Sequence, residues 1–202
     1  MIWDVHKVFN FFRTLPQPAD LDLKMLSHKL ALLLVLLSGG QRCQTIHQIN
    51  VLDIKIVNKL MVVPLFSKLK HSRVGAHLEP LKFPCYVKEP TLCVVTHMTE
   101  YLKRTHLFRG QCAKLFLAIN KPHQEVSRDT ISRWCKTILA QCGIDISVYS
   151  SHSSRAAASS MAKQRGVSLP QIARFAGWSG ERVFAKFYDK PIIVDNVFQQ
   201  NL

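Results

Sequence analysis

Residues 149–188 read YSSHSSRAAASSMAKQRGVSLPQIARFAGWSGERVFAKFY. In this stretch His152 and Arg155 stand three positions apart, and Trp178 and then Tyr188 follow them. The arginine is a fixed cation, the histidine is a donor that titrates near neutral pH, and the tyrosine supplies a phenol. These three side-chain types are the ones that a metal-free phosphoryl-transfer site can use.

The start of the stretch predicts a helix. Ser150 or Ser151 can cap a helix that begins at His152, because a serine hydroxyl accepts a hydrogen bond from a free backbone N–H at a helix start. His152 and Arg155 then share one face of its first turn. The positive end of the helix dipole adds to these two donors, so the spacing predicts an anion site there.

The remainder of the stretch predicts two shorter helices. Gly166 is the expected end of the first helix, and Ser168 is the expected cap of the next. Gly177 breaks that second helix just before the tryptophan. A third helix, Glu181–Phe187, then leads directly into Tyr188.

The stretch resembles the C-terminal conserved boxes of the tyrosine recombinase (phage integrase) family. The resemblance lies in an H-x-x-R motif, the A-G-W that follows it and the tyrosine shortly after. The amino-acid sequence of the stretch looks most like that of the recombinases of DIRS-like retrotransposons. The resemblance implies an α+β, mainly α-helical fold, with helices around a small three-stranded antiparallel sheet. It also implies a DNA-binding integrase that breaks and rejoins DNA.

Composition favours a polyanionic partner. The 202 residues carry a formal net charge of +14, and 48% of them are hydrophobic, as in a globular domain. Double-stranded DNA is the expected partner, and a membrane surface is the alternative. Leu30–Leu37 is too short to span a bilayer and predicts a buried helix. The cysteines form no C-x-x-C pair, which predicts reduced thiols in an intracellular protein, without zinc site or disulfides.

The middle of the chain predicts the sheet. Val51–Val57 and Lys59–Phe66 are rich in β-branched residues, and His77–Phe83 is the expected third strand. Pro64 places the second strand at an edge. A further short strand is expected over Lys114–Ala118. The other expected helices are one opened by Asp20 or Asp22 and running to Leu37, one over Thr91–Arg104 and one over Thr130–Cys142.

The resemblance extends to the remaining site residues. Arg42 follows a T-G-x-R-like turn, where the family carries its first catalytic arginine. The family often has an acidic residue three positions later, and Thr45 stands there instead. A family lysine reaches the site from a hairpin of the sheet; Lys70 fits that position best, with Lys68 as the alternative.

These residues imply a mechanism. Tyr188 attacks a phosphodiester and forms a 3′-phosphotyrosyl link, while Arg42 and Arg155 neutralise the phosphate oxygens. Lys70 protonates the departing 5′-hydroxyl, and neither a metal nor a cofactor is required. The expected catalytic residues are Arg42, Lys70, His152, Arg155, Trp178 and Tyr188, and the expected DNA-binding residues are Arg42, Lys68, Arg73 and Arg155.

The domain organisation follows the same resemblance. Residues 1–20 are expected to be an N-terminal helix and linker, a remnant of or junction to a missing DNA-clamping domain. Residues 21–202 are the expected catalytic domain, whose apolar tail Asp189–Leu202 docks on its own domain or on a neighbouring subunit. A mobile-element origin predicts a nuclear location. The alternatives are a DNA-binding relic without recombination activity and a topoisomerase IB-like nicking enzyme.

Overall fold

The computed structural model describes residues 1–65 and 79–193 of the chain. This part is mainly helical, with a small antiparallel sheet on one side. The helices are α1 (Val5–Thr14), α2 (Leu23–Leu37), α3 (Cys43–His47), α4 (Val94–Thr105), α5 (Arg128–Gln141), α6 (Ser153–Gln164), α7 (Leu169–Ala176) and α8 (Glu181–Phe187); the strands are β1 (Lys55–Val57), β2 (Leu60–Val63) and β3 (Leu81–Pro84). The predicted fold class is therefore confirmed.

The sheet has the strand order β1-β2-β3, and both pairings are antiparallel. Asn58 and Lys59 connect β1 to β2 with φ angles of 50° and 63°, the left-handed conformation that a two-residue hairpin turn needs. Met61 of β2 pairs with Phe83 of β3, and both side chains are buried. The inner face of the sheet thus belongs to the core and contacts α4.

Three of the predicted strands are shorter than expected, and one is wrong. The expected strand Lys59–Phe66 pairs only over β2, which is the central strand of the sheet rather than the edge strand that Pro64 predicted. The first half of Val51–Val57 is a 3₁₀ turn, because the Asn50 side chain accepts the backbone N–H of Leu52 at 2.9 Å and so competes with strand pairing. The described part of His77–Phe83 pairs only from the start of β3. Residues Lys114–Ala118 make isolated bridges rather than a strand.

Helix α2 is the central helix of the fold. Asp22 caps it by accepting the Met25 N–H at 2.6 Å. Every residue from Leu26 to Leu36 is buried, and α2 contacts α3, α4, α5 and α6. An apolar surface on all sides of a helix requires such a central position. Within residues 1–65 and 79–193, no helix is both long enough and apolar enough to cross a lipid bilayer.

Helix α1 packs into the same hydrophobic core as α2. Asp4 caps α1 by accepting the His6 N–H at 2.9 Å. The buried Nζ of Lys29 on α2 donates to the Phe12 carbonyl of α1 at 3.2 Å. The buried side chains of α1 are Val5, Val8, Phe9 and Phe12. The N-terminal helix is therefore an integral part of the described fold.

Two core histidines make the fold sensitive to acid. Burial is the main cause that lowers the pKa of both His28 and His97 from 6.5 to about 4, although the Cys93 carbonyl opposes it at His97. Between pH 6.5 and 4 the unfolded chain consequently binds more protons than the folded chain, so stability falls as the pH falls through this window. We expect a loss of about 2 kcal/mol for each histidine at pH 5.

Urea titrations at pH 7 and pH 5 measure this loss of unfolding free energy. The variant His97→Leu should retain only about half of the acid sensitivity, because one of the two titrating groups is gone. His106→Leu is the matched control, since His106 is exposed. An unchanged pH dependence in His97→Leu would show that His97 is not a source of the effect.

Candidate active site

Helix α6 carries the first site residues. His152 is the residue before the helix, which begins one residue later than predicted, at Ser153. The prediction of a serine cap is wrong: the Ser150 carbonyl accepts the Ser153 N–H at 2.9 Å, and the Ser151 hydroxyl contacts the Ser132 hydroxyl at 2.6 Å. The Ser151 hydroxyl is thus engaged elsewhere, and no side chain among the described residues caps α6.

Arg155 points from the first turn of α6 into the protein and is only 4% exposed. Its guanidinium donates to two backbone carbonyls, with Nη1 at 2.8 Å from the Gly40 oxygen and Nη2 at 2.5 Å from the Ala176 oxygen. Its Nε is buried without a hydrogen-bond partner in the part of the chain that the structure describes. Arg155 therefore joins the loop after α2 to the end of α7.

Two aromatic rings cover the Arg155 guanidinium. Its central carbon lies 4.9 Å from the Trp178 ring centroid and 5.5 Å from the Tyr188 ring centroid. The two rings stack on each other with centroids 4.6 Å apart and planes 17° apart, and the buried Phe184 lies 5.6 Å from Trp178. The Trp178 Nε1–H is buried and has no partner among the described residues.

Tyr188 follows α8 directly, and its backbone is held against α6. The Ser160 hydroxyl donates to the Tyr188 carbonyl at 2.8 Å and accepts the Lys190 N–H at 3.2 Å. Lys163 of the same helix pairs with Asp189 at 2.5 Å. These contacts fix the main chain around the tyrosine while its half-buried ring lies at the edge of the stack.

Arg42 lies before the first turn of α3 and is half-buried. The turn that delivers it contains Gly39 and Gly40, with φ angles of 81° and 74°. Thr45, which stands where relatives often carry an acidic residue, is buried and donates its backbone N–H to the Arg42 carbonyl at 2.8 Å. The described contacts assign the Thr45 side chain no part in the site.

The site concentrates positive charge. Burial first, and then repulsion from Arg42, lowers the pKa of Arg155 to about 10, while Tyr188 acts in the opposite direction. Arg155 remains charged at neutral pH, and the positive charge of two neighbouring guanidinium groups favours an anion at this site. Among residues 1–65 and 79–193, no group of three His, Cys, Asp or Glu side chains could hold a metal ion.

The structure thus brings together three of the expected catalytic residues and places a fourth nearby. Arg155, Trp178 and Tyr188 are in direct contact, and Arg42 is close enough to act on the Arg155 charge. His152 is exposed beside the first turn of α6. Lys68, Lys70 and Arg73 lie outside the described residues.

Sequence reasoning missed the residues that hold this site together. Gln41 donates to the Phe175 carbonyl at 2.7 Å, and Gly40 approaches the backbone of Arg155 so closely that a Cβ there would lie 3.1 Å from its Cα. Ser160 likewise had no predicted role. Their partners are distant in the chain, so the only local signal was the position of Gly40 and Gln41 immediately before Arg42.

Comparisons with known proteins identify the family and the fold of this chain. The model of the phage integrase family matches residues 5–190. The XerH site-specific recombinase bound to its difH substrate, in a pre-cleavage complex, is 13% identical with a TM-score of 0.66 over 91% of this chain. The XerA recombinase is 14% identical with a TM-score of 0.65 over 100% of the chain. A lambda integrase dimer bound to a COC′ core site is 14% identical with a TM-score of 0.54 over 97%.

At these identities the structural likeness concerns the fold. The matched regions make up 48% of the XerH chain, 62% of the XerA chain and 50% of the lambda integrase chain. The chain therefore spans about half to three-fifths of the solved structures that it resembles. No curated protein sequence matches it significantly.

Proposed function

The chain belongs to the phage integrase family, and from this premise we propose that it breaks and rejoins DNA through a 3′-phosphotyrosyl intermediate. The observation that carries the proposal is the contact of Arg155 with both Trp178 and Tyr188. A fixed cation, an indole donor and a phenol meet at one point although they come from α6, the end of α7 and the end of α8. These groups suit the attack of a tyrosine on a phosphodiester.

Each residue has a chemical role in the proposed step. The Tyr188 oxygen attacks phosphorus, the bond to the 5′ oxygen breaks, and the departing 5′ oxygen takes a proton from Lys70 or Lys68. Arg42 and Arg155 stabilise the charge on the non-bridging oxygens, as guanidinium donors do for phosphate. In the second half of the reaction a 5′-hydroxyl displaces the tyrosine.

The two remaining expected residues assist this chemistry. His152 can donate to the phosphate or accept the proton that Tyr188 loses. The free Nε1–H of Trp178 can donate to a phosphate oxygen. Because Tyr188 stacks on Trp178 and both rings cover Arg155, the aromatic stack must open before a phosphate reaches the guanidinium.

The partners of the chain and its genetic origin follow from the same proposed function. Double-stranded DNA is the substrate, as the net charge of +14 and the clustered guanidinium groups favour. We further propose self-association on DNA through the tail Asp189–Leu202, most of which lies outside the described residues. The H-x-x-R to tyrosine stretch supports an origin in a DIRS-like mobile element and, with it, a nuclear location.

A covalent trap on DNA tests the proposal. The chain would be incubated with duplexes whose sequence is randomised around a single 5′-bridging phosphorothiolate, because the expelled thiolate cannot rejoin the strand. We expect a protein–DNA adduct on a denaturing gel and an enriched sequence among the trapped duplexes. The enriched duplex then serves as the substrate for measurements on variants.

The other outcomes separate the alternatives. Tight DNA binding without any adduct would indicate a binding relic, an alternative that Thr45 and the partial coverage of the solved structures keep open. Adducts on unselected sequences, followed by rejoining of the same strand without exchange, would indicate a topoisomerase IB-like nicking enzyme.

A further inference from the structure

Gln41 occupies an unusual place for a glutamine. It stands immediately before Arg42, yet only 3% of its surface is exposed. Its side-chain Nε2 donates to the Phe175 carbonyl at 2.7 Å, across 134 positions of the chain. Glutamine is rarely buried unless its amide is hydrogen-bonded, so this contact defines the environment of the side chain.

The acceptor of this bond belongs to the end of α7. The last four carbonyls of an α-helix have no partner within the helix. In α7 the Ala173 carbonyl accepts the Trp178 N–H at 2.9 Å, and the Arg174 carbonyl accepts the Gly177 N–H at 3.1 Å. The two carbonyls that remain are those of Phe175 and Ala176.

Two site side chains satisfy these remaining carbonyls. Gln41 donates to the Phe175 oxygen, and Arg155 donates to the Ala176 oxygen. The end of α7 is therefore capped jointly by the neighbour of Arg42 and by Arg155 itself. Trp178 follows only two residues later, so the same cap determines where the indole lies.

The loop between α2 and α3, residues 38–42, packs tightly against α6 and α7. A Cβ on Gly39 would lie 2.9 Å from the Phe175 Cβ, and a Cβ on Gly40 would lie 3.1 Å from the Arg155 carbonyl oxygen. The loop thus touches α7 and α6 through its glycines, and the Gln41 amide supplies its side-chain hydrogen bond to α7.

We propose that Gln41 is a positioning residue of the cleavage site. Its amide binds the loop that carries Arg42 to the end of α7. This contact thereby fixes the positions of Arg42, Arg155 and Trp178 relative to one another. Without it the Phe175 carbonyl lacks a donor, and the Arg155 guanidinium is drawn toward this second acceptor. The effect of Gln41 on cleavage rests on the proposed function, whereas its effect on the relative positions of the side chains does not.

The test compares Gln41→Met, which keeps the length of the side chain but cannot donate, with Gln41→His, which restores an N–H donor. Gln44→Met on the neighbouring helix is the matched control. On the duplex recovered from the trap, Gln41→Met should form adduct about 10-fold to 100-fold more slowly than the original chain while binding DNA within about twofold of it. Gln41→His should recover most of the rate, and Gln44→Met should not change it.

A structural readout keeps the test independent of cleavage. In Gln41→Met the NMR resonances of the Trp178 indole N–H and the Arg155 Nε–H should shift, and in Gln44→Met they should stay in place. If the original chain forms no adduct, the proposed function fails and these resonances alone decide the role of Gln41. Unshifted resonances, or adduct formation by Gln41→Met at the original rate, would overturn the proposal.

Discussion

Tyr188→Phe should form no covalent DNA adduct, a loss on the order of 10⁴-fold or more, because the phenol oxygen is the proposed nucleophile. The substitution removes only that oxygen. The phenylalanine ring can still stack on Trp178, and the backbone contacts between Ser160 and residue 188 do not involve the side chain. Folding and DNA binding should therefore be retained, and the loss should concern the chemical step alone.

The measurement is the rate of adduct formation on the trapped phosphorothiolate duplex, with binding followed separately by fluorescence anisotropy. Tyr149→Phe is the matched control, since Tyr149 is a second half-buried tyrosine close to the H-x-x-R motif. It should form adduct at the original rate. If Tyr188→Phe formed adduct and Tyr149→Phe did not, the nucleophile would be Tyr149 and the proposed arrangement would be wrong.

Arg155→Lys should reduce the rate of adduct formation by about 10²-fold to 10³-fold and also destabilise the fold. A lysine ammonium cannot lie flat against Trp178 and Tyr188 while donating to the Gly40 and Ala176 carbonyls as the planar guanidinium does. At least one buried carbonyl then lacks a partner. We expect the free energy of unfolding to fall by about 1–3 kcal/mol.

Urea unfolding and the adduct assay measure these two effects separately. Arg165→Lys is the control, because Arg165 is exposed just after the same helix and should tolerate the change in both assays. A variant Arg155→Lys with the original stability and the original rate would mean that neither the carbonyl contacts nor the paired guanidinium donors matter. Original stability combined with a reduced rate would assign Arg155 to the chemical step alone.

The sequence was sufficient for the features that depend on neighbouring residues. The uniformly apolar run in α2 predicted a buried helix, since every side of such a helix needs cover. Gly177, which adopts φ 66°, ends α7, and Ser168 begins it, as their residue types indicate. The ordered motif from His152 to Tyr188 predicted the family, and the fold class followed from that resemblance.

Local rules failed where a distant or competing partner exists. The expected strand Lys114–Ala118 makes only isolated bridges, because within the described residues its partner changes from Asn50 at Lys114 to Glu125 at Leu117. Of the two serines expected to cap α6, Ser151 contacts Ser132 of α5 through its hydroxyl instead.

The sequence by itself determined which side chains are available for chemistry and in what order they occur. Only the tertiary structure decided that Arg155 is buried beneath Trp178 and Tyr188, and that Gln41 and Arg155 together cap α7. The Arg155 contact to Gly40 spans 115 positions and the Gln41 contact spans 134. Helical spacing specifies the face on which a residue lies, whereas the packing of distant segments decides which free carbonyl a buried donor can reach.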